Sequence, residues 1–518
     1  MANREELLII RAARSGNAQA QLALGKRYLF GSVSLPQSAA TALHWLEKAA
    51  EQNQEEAWML IGEYVSFTVA SQAGDALRLA LWYERAFEGK SARAGLVFAK
   101  LVFSSWNRAE ASLRQKSIRA LHAAAEAGIA DAQWLYAQQL GIHDLLAAKQ
   151  VQDIPLHVRN CRDQILEWSA KAAKGGVSDA QYALADYAWQ QGDTVKFLFW
   201  ALPMAQELDR RQHGPVAYRR TQGKQQLRLF TRCARALIAM KDPNLRLIER
   251  YLKIAGDGGD ADAQLVFGLW IARMDEDGKR IKHVPGVAHY KKAIRWLSMS
   301  AEQGTAAAWF AISRIYLKPE FSRRSINESR RFLEMAAASG YCRAQLELGL
   351  VAWRLRRIEH GADVRAVYWL QKASSQGSPE AKKILSKIAP PVRKSEWATA
   401  ARASFNREVS SQYPFLAARI ELAYWFGLTR AEALLIDVEA SDHGHCLEVD
   451  IRASHPRSRR RLIQVQTGEQ RQALDRASRV FDIADVQGEL GPEGNYRQRL
   501  YRFRSLLAQR RTPPARRA

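Results

Sequence analysis

The stretch AQLALGKRYLFG (residues 20–31), followed after a short gap by AATALHWLEKAAEQN (residues 39–53), decides the fold. Each segment spaces its apolar residues three and four positions apart, as an amphipathic helix does. Trp45 and Ala49 stand eight and four residues before Asn53, so both lie on the helix face that meets a neighbouring helix. The turn residue Asn53 then ends the helix. The two segments therefore predict a helical hairpin.

The same hairpin pattern recurs along residues 1–388. Aligned on the turn residue, most copies are 36 to 39 residues apart, a period typical of solenoid proteins. The turn residues are Gly16, Asn53, Gly89, Gly128, Gly176, Gly259, Gly304, Gly340 and Gly377. The long interval after Gly176 predicts a degenerate copy near Gly214, with residues 197–206 as its helix.

Small and aromatic residues hold fixed places in the copies. An aromatic ring stands eight residues before the turn in six copies, and alanine usually stands four residues before and four residues after it. Because one hairpin cannot bury its apolar face alone, the pattern predicts an α-solenoid of about nine to ten stacked hairpins. We interpret the 15 tryptophans as packing between repeats rather than as a base-stacking platform.

These positions resemble the Sel1-like repeat family, whose pattern is A–LG–Y–G followed by A–W–KAA–QG. The first copy matches at Leu24, Gly25, Tyr28, Gly31, Ala42, Trp45, Lys48, Ala49 and Ala50. The tetratricopeptide repeat, with a period of about 34 residues, fits less well. The resemblance implies an adaptor or scaffold that binds a protein partner in the solenoid groove.

Composition narrows the function classes. The net charge of +24 favours contact with nucleic acid or an acidic partner, with a solvated basic surface as the equal alternative. No apolar run is long enough for a membrane span, and residues 1–19 show no secretion signal. The four cysteines are widely separated, which indicates a reduced cytoplasmic protein without a disulfide framework or zinc site.

Two short motifs that contain possible metal ligands are not interpreted as metal sites, and one basic insert has two interpretations. DGGDAD (257–262) lacks the closing glutamate of a calcium loop and falls on a repeat turn. DHGHC (442–446) offers too few well-placed ligands. The basic insert at 215–235 is interpreted either as a binding element or as a degenerate repeat. We therefore predict no metal and no cofactor.

A second domain follows the repeats. IAPPVRKSE ends the last helix at two prolines, and we predict a linker over 389–396. Residues 445–453 and 461–467 show alternating polar and apolar side chains, several of them β-branched, which predicts two strands, and a predicted helix follows at 467–481. This order predicts a small α+β domain over 397–508. A basic disordered tail is expected at 509–518.

This domain resembles the putative-integrase branch of the tyrosine recombinases. That branch carries an FGLRxEEA motif, a hairpin with a lysine in its turn and a helix with the motif EQRxxLDxA. Residues 495–503 of this chain match a later helix of the branch more loosely. The closer matches are Phe426, Gly427, Leu428, Glu432, Ala433, Arg461, Ile463, Val465, Thr467, Glu469, Gln470, Arg471, Leu474, Asp475 and Ala477.

The catalytic residues of that family do not carry over. Thr429 stands where the resemblance places the arginine that clamps the scissile phosphate, and Arg430 would point about 100° away from it. No lysine lies at 455–457, where the family has its general acid. The tyrosine nucleophile would lie beyond residue 510. We therefore predict no catalytic residue and no enzyme activity.

Arginines remain as candidates for DNA contact. Residues 452–461 hold five arginines and no acid, and residues 497–517 hold eight more. Guanidinium groups suit phosphate contact without base reading, although the second cluster is as easily a frayed tail. The predicted DNA-binding residues are Arg452, Arg457, Arg459, Arg460, Arg461, Arg497 and Arg499.

The sequence thus predicts a non-enzymatic cytoplasmic adaptor. Its solenoid would hold a protein partner, and its inactive integrase-like domain would hold DNA, as an accessory of a bacterial mobile element. The alternative is a Sel1-type protein scaffold without DNA binding, whose C-terminal domain only caps the solenoid. An active site-specific recombinase is the third hypothesis.

Overall fold

The computed structural model describes residues 4–32, 34–148, 150–212, 223–241, 243–281, 286–393, 395–405, 407–482 and 493–509. The chain divides into two compact units, Met1–Tyr251 and Leu252–Ala518. The turn predicted near Gly214 and the predicted tail beyond residue 509 lie outside the described residues. The helix predicted at 197–206 for the same degenerate copy is confirmed, within the helix Thr194–Gln212.

The first unit consists of helices, apart from a short 3-10 turn at Val151–Asp153. The last of these helices contains the boundary between the units. In chain order they are α1 Arg4–Arg14, α2 Ala18–Phe30, α3 Ala39–Glu51, α4 Glu55–Tyr64, α5 Phe67–Gln72, α6 Ala76–Glu88, α7 Ala92–Ser104, α8 Ala111–Glu126, α9 Ala130–Leu140, α10 Ile142–Ala147, α11 Leu156–Asn160, α12 Arg162–Lys174, α13 Ser178–Gln190, α14 Thr194–Gln212, α15 Lys224–Ile238 and α16 Leu245–Asp257.

The second unit continues the helical pattern and adds two short strands. Its helices are α17 Ala261–Ala272, α18 Tyr290–Glu302, α19 Ala306–Leu317, α20 Ile326–Ala338, α21 Cys342–Leu355, α22 Ala362–Ser375, α23 Pro379–Ile388, α24 Glu396–Ser404, α25 Arg407–Gln412, α26 Pro414–Phe426, α27 Arg430–Leu435, α28 Val438–Ser441, α29 Gly468–Phe481 and α30 Tyr496–Gln509. Strands β1 Cys446–Val449 and β2 Arg461–Gln464 pair antiparallel, with Cys446 opposite Gln464.

The predicted helical hairpins are confirmed as pairs of successive helices, such as α2 with α3 and α17 with α18. Two glycines show how closely the paired helices approach. A Cβ atom at Gly25 would lie 2.7 Å from the Leu46 side chain, and one at Gly268 would lie 2.6 Å from Leu297 Cγ. The glycine of the repeat therefore sets the spacing between the two helices. Each of the 15 tryptophans is buried or half-buried, as expected for rings that pack between helices.

The turn prediction is confirmed at eight positions and wrong at one. Gly89 has φ of −74° and closes α6, and the left-handed residue is Lys90, with φ of 72°. A Cβ atom at Gly89 would lie 2.7 Å from Met59 Sδ, so glycine is needed there for close packing. The confirmed left-handed turn residues are Gly16, Asn53, Gly128, Gly176, Gly259, Gly304, Gly340 and Gly377.

A buried glutamine joins consecutive hairpins, and the sequence interpretation missed it. The side-chain amide of Gln264 donates to the Gly256 carbonyl at 3.0 Å, and Gln303 donates to Gln264 Oε1 at 2.8 Å. The carbonyls at a helix end lack partners from the following helical turn; the Gly256 carbonyl accepts one hydrogen bond from the Gly259 N–H, and the glutamine supplies a second. Gln21, Gln133, Gln181 and Gln345 make the equivalent bond to Ala13, Ala125, Ala173 and Ala337.

The β-hairpin lies between two apolar clusters. Cys446 and Leu462 share one face of the hairpin and pack against α22 and α23, the last pair of repeat helices. Leu447 and Ile463 lie on the other face and pack with α24, α26 and α29. Because side chains alternate across a strand, each strand contributes to both clusters. The segment after residue 388 is therefore packed directly onto the last repeat.

Replacing Gly268 by alanine tests the helix spacing. Leu297 and Ala293, which flank this position, are completely buried, so the added methyl group forces α17 and α18 apart. We expect Gly268→Ala to lower the free energy of unfolding by about 1–3 kcal/mol, measured by urea denaturation followed by circular dichroism. The matched control is Gly468→Ala at the start of α29, where an added Cβ meets no atom within 4 Å. Equal midpoints for the two variants would contradict the close approach.

Candidate functional site

The seven arginines predicted to contact DNA fall into two structural groups. One group binds acidic side chains or carbonyl oxygens of the protein itself: Arg452, Arg460, Arg461 and Arg499. The other group is exposed and has no ion pair among the described residues: Arg457, Arg459 and Arg497. The structure therefore places three of the seven where a ligand can reach them freely.

Arg460 links the β-hairpin to the last repeat through ion pairs. Its Nε lies 2.7 Å from Glu448 Oε1 on β1, and its Nη1 lies 3.1 Å from Asp363 Oδ2 on α22. Burial alone would raise the pKa of Glu448, but hydrogen bonds from Arg460 and His443 outweigh it and hold that pKa below its usual value. The guanidinium group is thus part of the contact between α22 and the hairpin.

The FGLTRAEA stretch forms a helix start at the position that the resemblance assigns to catalysis. Thr429 Oγ1 accepts a hydrogen bond from the backbone N–H of Glu432, and Glu432 Oε2 accepts one from the N–H of Thr429, at 3.3 and 2.7 Å. This reciprocal arrangement is a capping box. Thr429 therefore begins α27.

Arg461 completes this local structure. Its Nη2 lies 2.8 Å from Glu432 Oε2 and also donates to the Gly427 carbonyl at 3.2 Å. Burial would raise the pKa of Glu432, yet hydrogen bonds from Arg461 and Thr429 lower it overall. The arginine on β2 therefore holds together the turn between α26 and α27.

A buried ion pair, Arg419 with Glu493, is the largest feature of this region that the sequence interpretation missed. Arg419 is 1% exposed. Its Nε and Nη2 lie 2.9 and 2.6 Å from the two Glu493 oxygens, and its Nη1 donates to the Ala433 and Ile436 carbonyls. The only sequence signal for this ion pair is a lone arginine within the apolar helix α26. Since each nitrogen of the Arg419 guanidinium group donates to a buried acceptor, the pair has a structural role.

The three exposed arginines lie near one corner of the hairpin. The rings of His455 and Tyr496 are 5.2 Å apart at their centroids. This contact brings the turn that carries Arg457 and Arg459 beside the start of α30, which carries Arg497. We call these three arginines the basic corner. It joins two clusters that are distant in sequence.

The first unit presents an exposed pair of aromatic rings. Phe30 ends α2 and Tyr64 ends α4, and their centroids lie 5.0 Å apart in an edge-on arrangement. The two residues are 54% and 50% exposed. On the same helices, Lys26 forms an ion pair with Glu56. We call Phe30 and Tyr64 the aromatic pair. Rings that are exposed beside charged groups are typical of protein contact surfaces.

The described residues supply little for redox or metal chemistry. All four cysteines are free, and burial raises the pKa of both Cys233 and Cys446 to about 12, so these two remain poorly nucleophilic thiols. Within the described ranges, no group of three or more His, Cys, Asp or Glu residues is arranged to hold a metal ion. Asp260, from the DGGDAD motif, caps α17.

In the described part of the chain, none of the helices combines the length and hydropathy that crossing a membrane requires.

Acid should loosen the contacts around Glu432. Its folded-state pKa lies below the ordinary value of 4.5, so its ionic contribution is complete above that value and is lost as pH falls through the lower folded-state pKa. We expect the unfolding temperature to drop between about pH 5 and pH 3. The Glu432→Gln variant should have a lower unfolding temperature than the wild type at pH 7, and this temperature should depend less on pH.

The matched control is Glu439→Gln, which replaces an exposed glutamate on the adjacent helix α28. Hydrogen exchange over residues 407–482 at each pH locates the loosening. If Glu432→Gln and the wild type lose protection in parallel as pH falls, the ion pair with Arg461 does not support this segment.

Two solved structures are similar to this chain in sequence. The chain is similar to a protective antigen of uropathogenic Escherichia coli described as displaying an SLR fold, with 18% identity, 82% of this chain and 95% of that chain covered, and a TM-score of 0.27. It is also similar to a Sel1 repeat protein from Oxalobacter formigenes, with 18% identity, 75% and 91% covered, and a TM-score of 0.26. A comparison with curated proteins gives no match.

The sequence model of the Sel1 repeat matches five segments, residues 18–54, 178–196, 285–305, 306–341 and 343–378. Two segments fall in the first unit and three in the second. The similarity of residues 397–508 to tyrosine recombinases stays a prediction. Segments in both units of the chain therefore match the Sel1 repeat.

Proposed function

We propose that the protein is a non-enzymatic scaffold whose stacked Sel1 repeats hold a protein partner. The aromatic pair carries this proposal. Phe30 and Tyr64 expose about half of their surface at the ends of α2 and α4, within or beside the first matched repeat. Large exposed rings that neighbour each other supply contact area at a small entropic cost. A protein segment laid along α2 and α4 would cover both rings.

The C-terminal segment supports this role by covering the last repeat. A solenoid needs a terminal element that buries its final apolar face, and the hairpin packs Cys446 and Leu462 onto α22 and α23. Arg460 reinforces the contact at its edge. This arrangement favours the hypothesis of a pure scaffold with a C-terminal cap.

DNA contact through the C-terminal segment is the second candidate, and the basic corner favours it. Arg457, Arg459 and Arg497 lie on two segments of the chain that the His455–Tyr496 contact brings together. Three free guanidinium groups suit phosphate binding without base reading. In this version the segment is an inactive integrase-like domain, accessory to a bacterial mobile element.

The absence of catalysis and the cytoplasmic location belong to the proposal as well. Thr429 replaces the expected arginine and serves as a helix cap, which supports an inactive domain. The four free cysteines fit a reducing compartment.

Site-specific crosslinking tests the scaffold. A photo-reactive amino acid placed at Phe30 or Tyr64 of the full chain should capture the same partner in the source cell. Placement at Ile358, which is 83% exposed in the second unit, is the control and should not capture it. Phe30→Ser with Tyr64→Ser should weaken partner binding roughly tenfold or more, as the loss of interface aromatic anchors does. Indiscriminate capture from all three positions would contradict the proposal.

Salt dependence tests DNA contact. Duplex DNA affinity of the full chain is measured by fluorescence anisotropy at several salt concentrations. Replacing Arg457, Arg459 and Arg497 by alanine should reduce the slope of log K against log salt by roughly 2–3, since each phosphate contact contributes about 0.9. The charge-matched control replaces Arg108, Arg119 and Arg323, which are exposed elsewhere. Identical slopes for the two triple variants would leave the pure scaffold as the function.

A further inference from the structure

The connection after α17 carries a compact acidic turn. Residues 273–289 join α17 to α18, whereas residues 318–325 join α19 to α20 in the following hairpin. Within the longer connection, Met274 and Arg280 form an isolated antiparallel bridge. Asp275 Oδ1 accepts hydrogen bonds from the N–H groups of Asp277 and Lys279, at 2.9 and 2.8 Å. We call residues 275–279 (DEDGK) the acidic turn; its shape is fixed by its own hydrogen bonds.

The acidic turn is seated on helices of the next two hairpins. Asp277 forms an ion pair with Arg343 at the start of α21. The Gly278 carbonyl accepts a hydrogen bond from Lys318 Nζ, just after α19. A Cβ atom at Gly278 would lie 2.7 Å from Cβ and Cγ of Arg314 on α19, so the turn backbone rests against that side chain. We call Arg314, Lys318 and Arg343 the basic face.

Two features show that the basic face accepts an acidic chain segment. It binds a carboxylate and a backbone carbonyl from one short stretch of peptide, which are the groups that any acidic peptide offers. Its positive groups come from the first helices of two successive hairpins, α19 and α21. Glu347 on α21 pairs with Arg314, which leaves Lys318 and Arg343 to the turn. The charges of the turn and the face are complementary.

The contact is open to exchange. The side chains of Arg343 and Asp277 are 53% and 37% exposed within their ion pair. Ion pairs that remain this accessible to water contribute little free energy, so a competing carboxylate from another molecule can replace Asp277. Asp275 and Glu276 are exposed as well.

We propose that the basic face is a docking site for an acidic peptide segment of a partner protein, and that the acidic turn competes with this segment from within the chain. The inference rests on the proposed scaffold function and specifies the chemistry of one partner site. By occupying Lys318 and Arg343, the acidic turn lowers the affinity for any external acidic segment. A partner segment must therefore carry more negative charge than the acidic turn in order to bind.

Peptide binding to the full chain tests the inference. The probe is a fluorescein-labelled peptide that contains Asp-Glu-Asp-Gly between neutral residues, and its dissociation constant is measured by anisotropy. Glu276→Gln with Asp277→Asn neutralises the competing turn and should tighten binding at least about fivefold, the lower end of typical coupling between sites. The charge-matched control, Glu55→Gln with Asp131→Asn in the first unit, should leave affinity within about twofold.

Removing the basic face should have the opposite effect. Lys318→Ala with Arg343→Ala should weaken peptide binding by about three- to tenfold, the loss expected when two exposed ion pairs are removed. Arg343→Gln alone serves if the double variant unfolds, which circular dichroism reports. A peptide with Asn-Gln-Asn-Gly should not bind. Unchanged affinity in the turn variant, or equal binding of the neutral peptide, would overturn the inference.

The two proposals can fail separately. If crosslinking from Phe30 and Tyr64 captures a partner while the acidic peptide does not bind, the scaffold stands and the basic face is not a docking site. If the peptide binds as expected while the aromatic pair captures nothing, the acidic site stands and the aromatic pair is not the partner surface.

Discussion

The close approach of paired helices is the constraint on which the structure depends. A single hairpin exposes an apolar face that it cannot bury, so stability requires each pair to lie against the next. Gly25 and Gly268 permit that approach, because a methyl group in either place would meet a leucine of the partner helix. Dense packing of this kind tolerates neither added nor missing volume. The repeat is therefore defined by residues that are small.

Burial of backbone carbonyls imposes a second requirement. When hairpins stack, helix ends come away from water, and a buried carbonyl without a partner is costly. The turn N–H of Gly259 donates to the Gly256 carbonyl, and Gln264 adds a second hydrogen bond to it. Gln303 in turn donates to Gln264. The pattern recurs at Gln21 and Gln345. Polar and apolar packing thus repeat with the same period.

The C-terminal segment uses charge in a different way. Its hairpin is covered on both faces, so arginines at its edges turn toward acidic groups of the protein. Arg460 binds Glu448 and Asp363, and Arg461 binds Glu432. Arginine density along the sequence therefore overstates the free positive surface. Of the seven arginines predicted to contact DNA, the three of the basic corner have no ion pair among the described residues. In the repeats, the chain itself partly occupies the basic face through Asp277 and Arg343.

The sequence by itself determined the period, the helical hairpins and nearly all the turns, because these follow from local spacing of small, aromatic and glycine residues. It placed one turn at Gly89 instead of Lys90, since a glycine needed for packing looks the same as one needed for a left-handed turn. Only the tertiary structure decided the charge partners. Arg419 and Glu493 are 74 residues apart, and Arg460 and Asp363 are 97 apart. Such pairs are set by how elements pack, which no local pattern records.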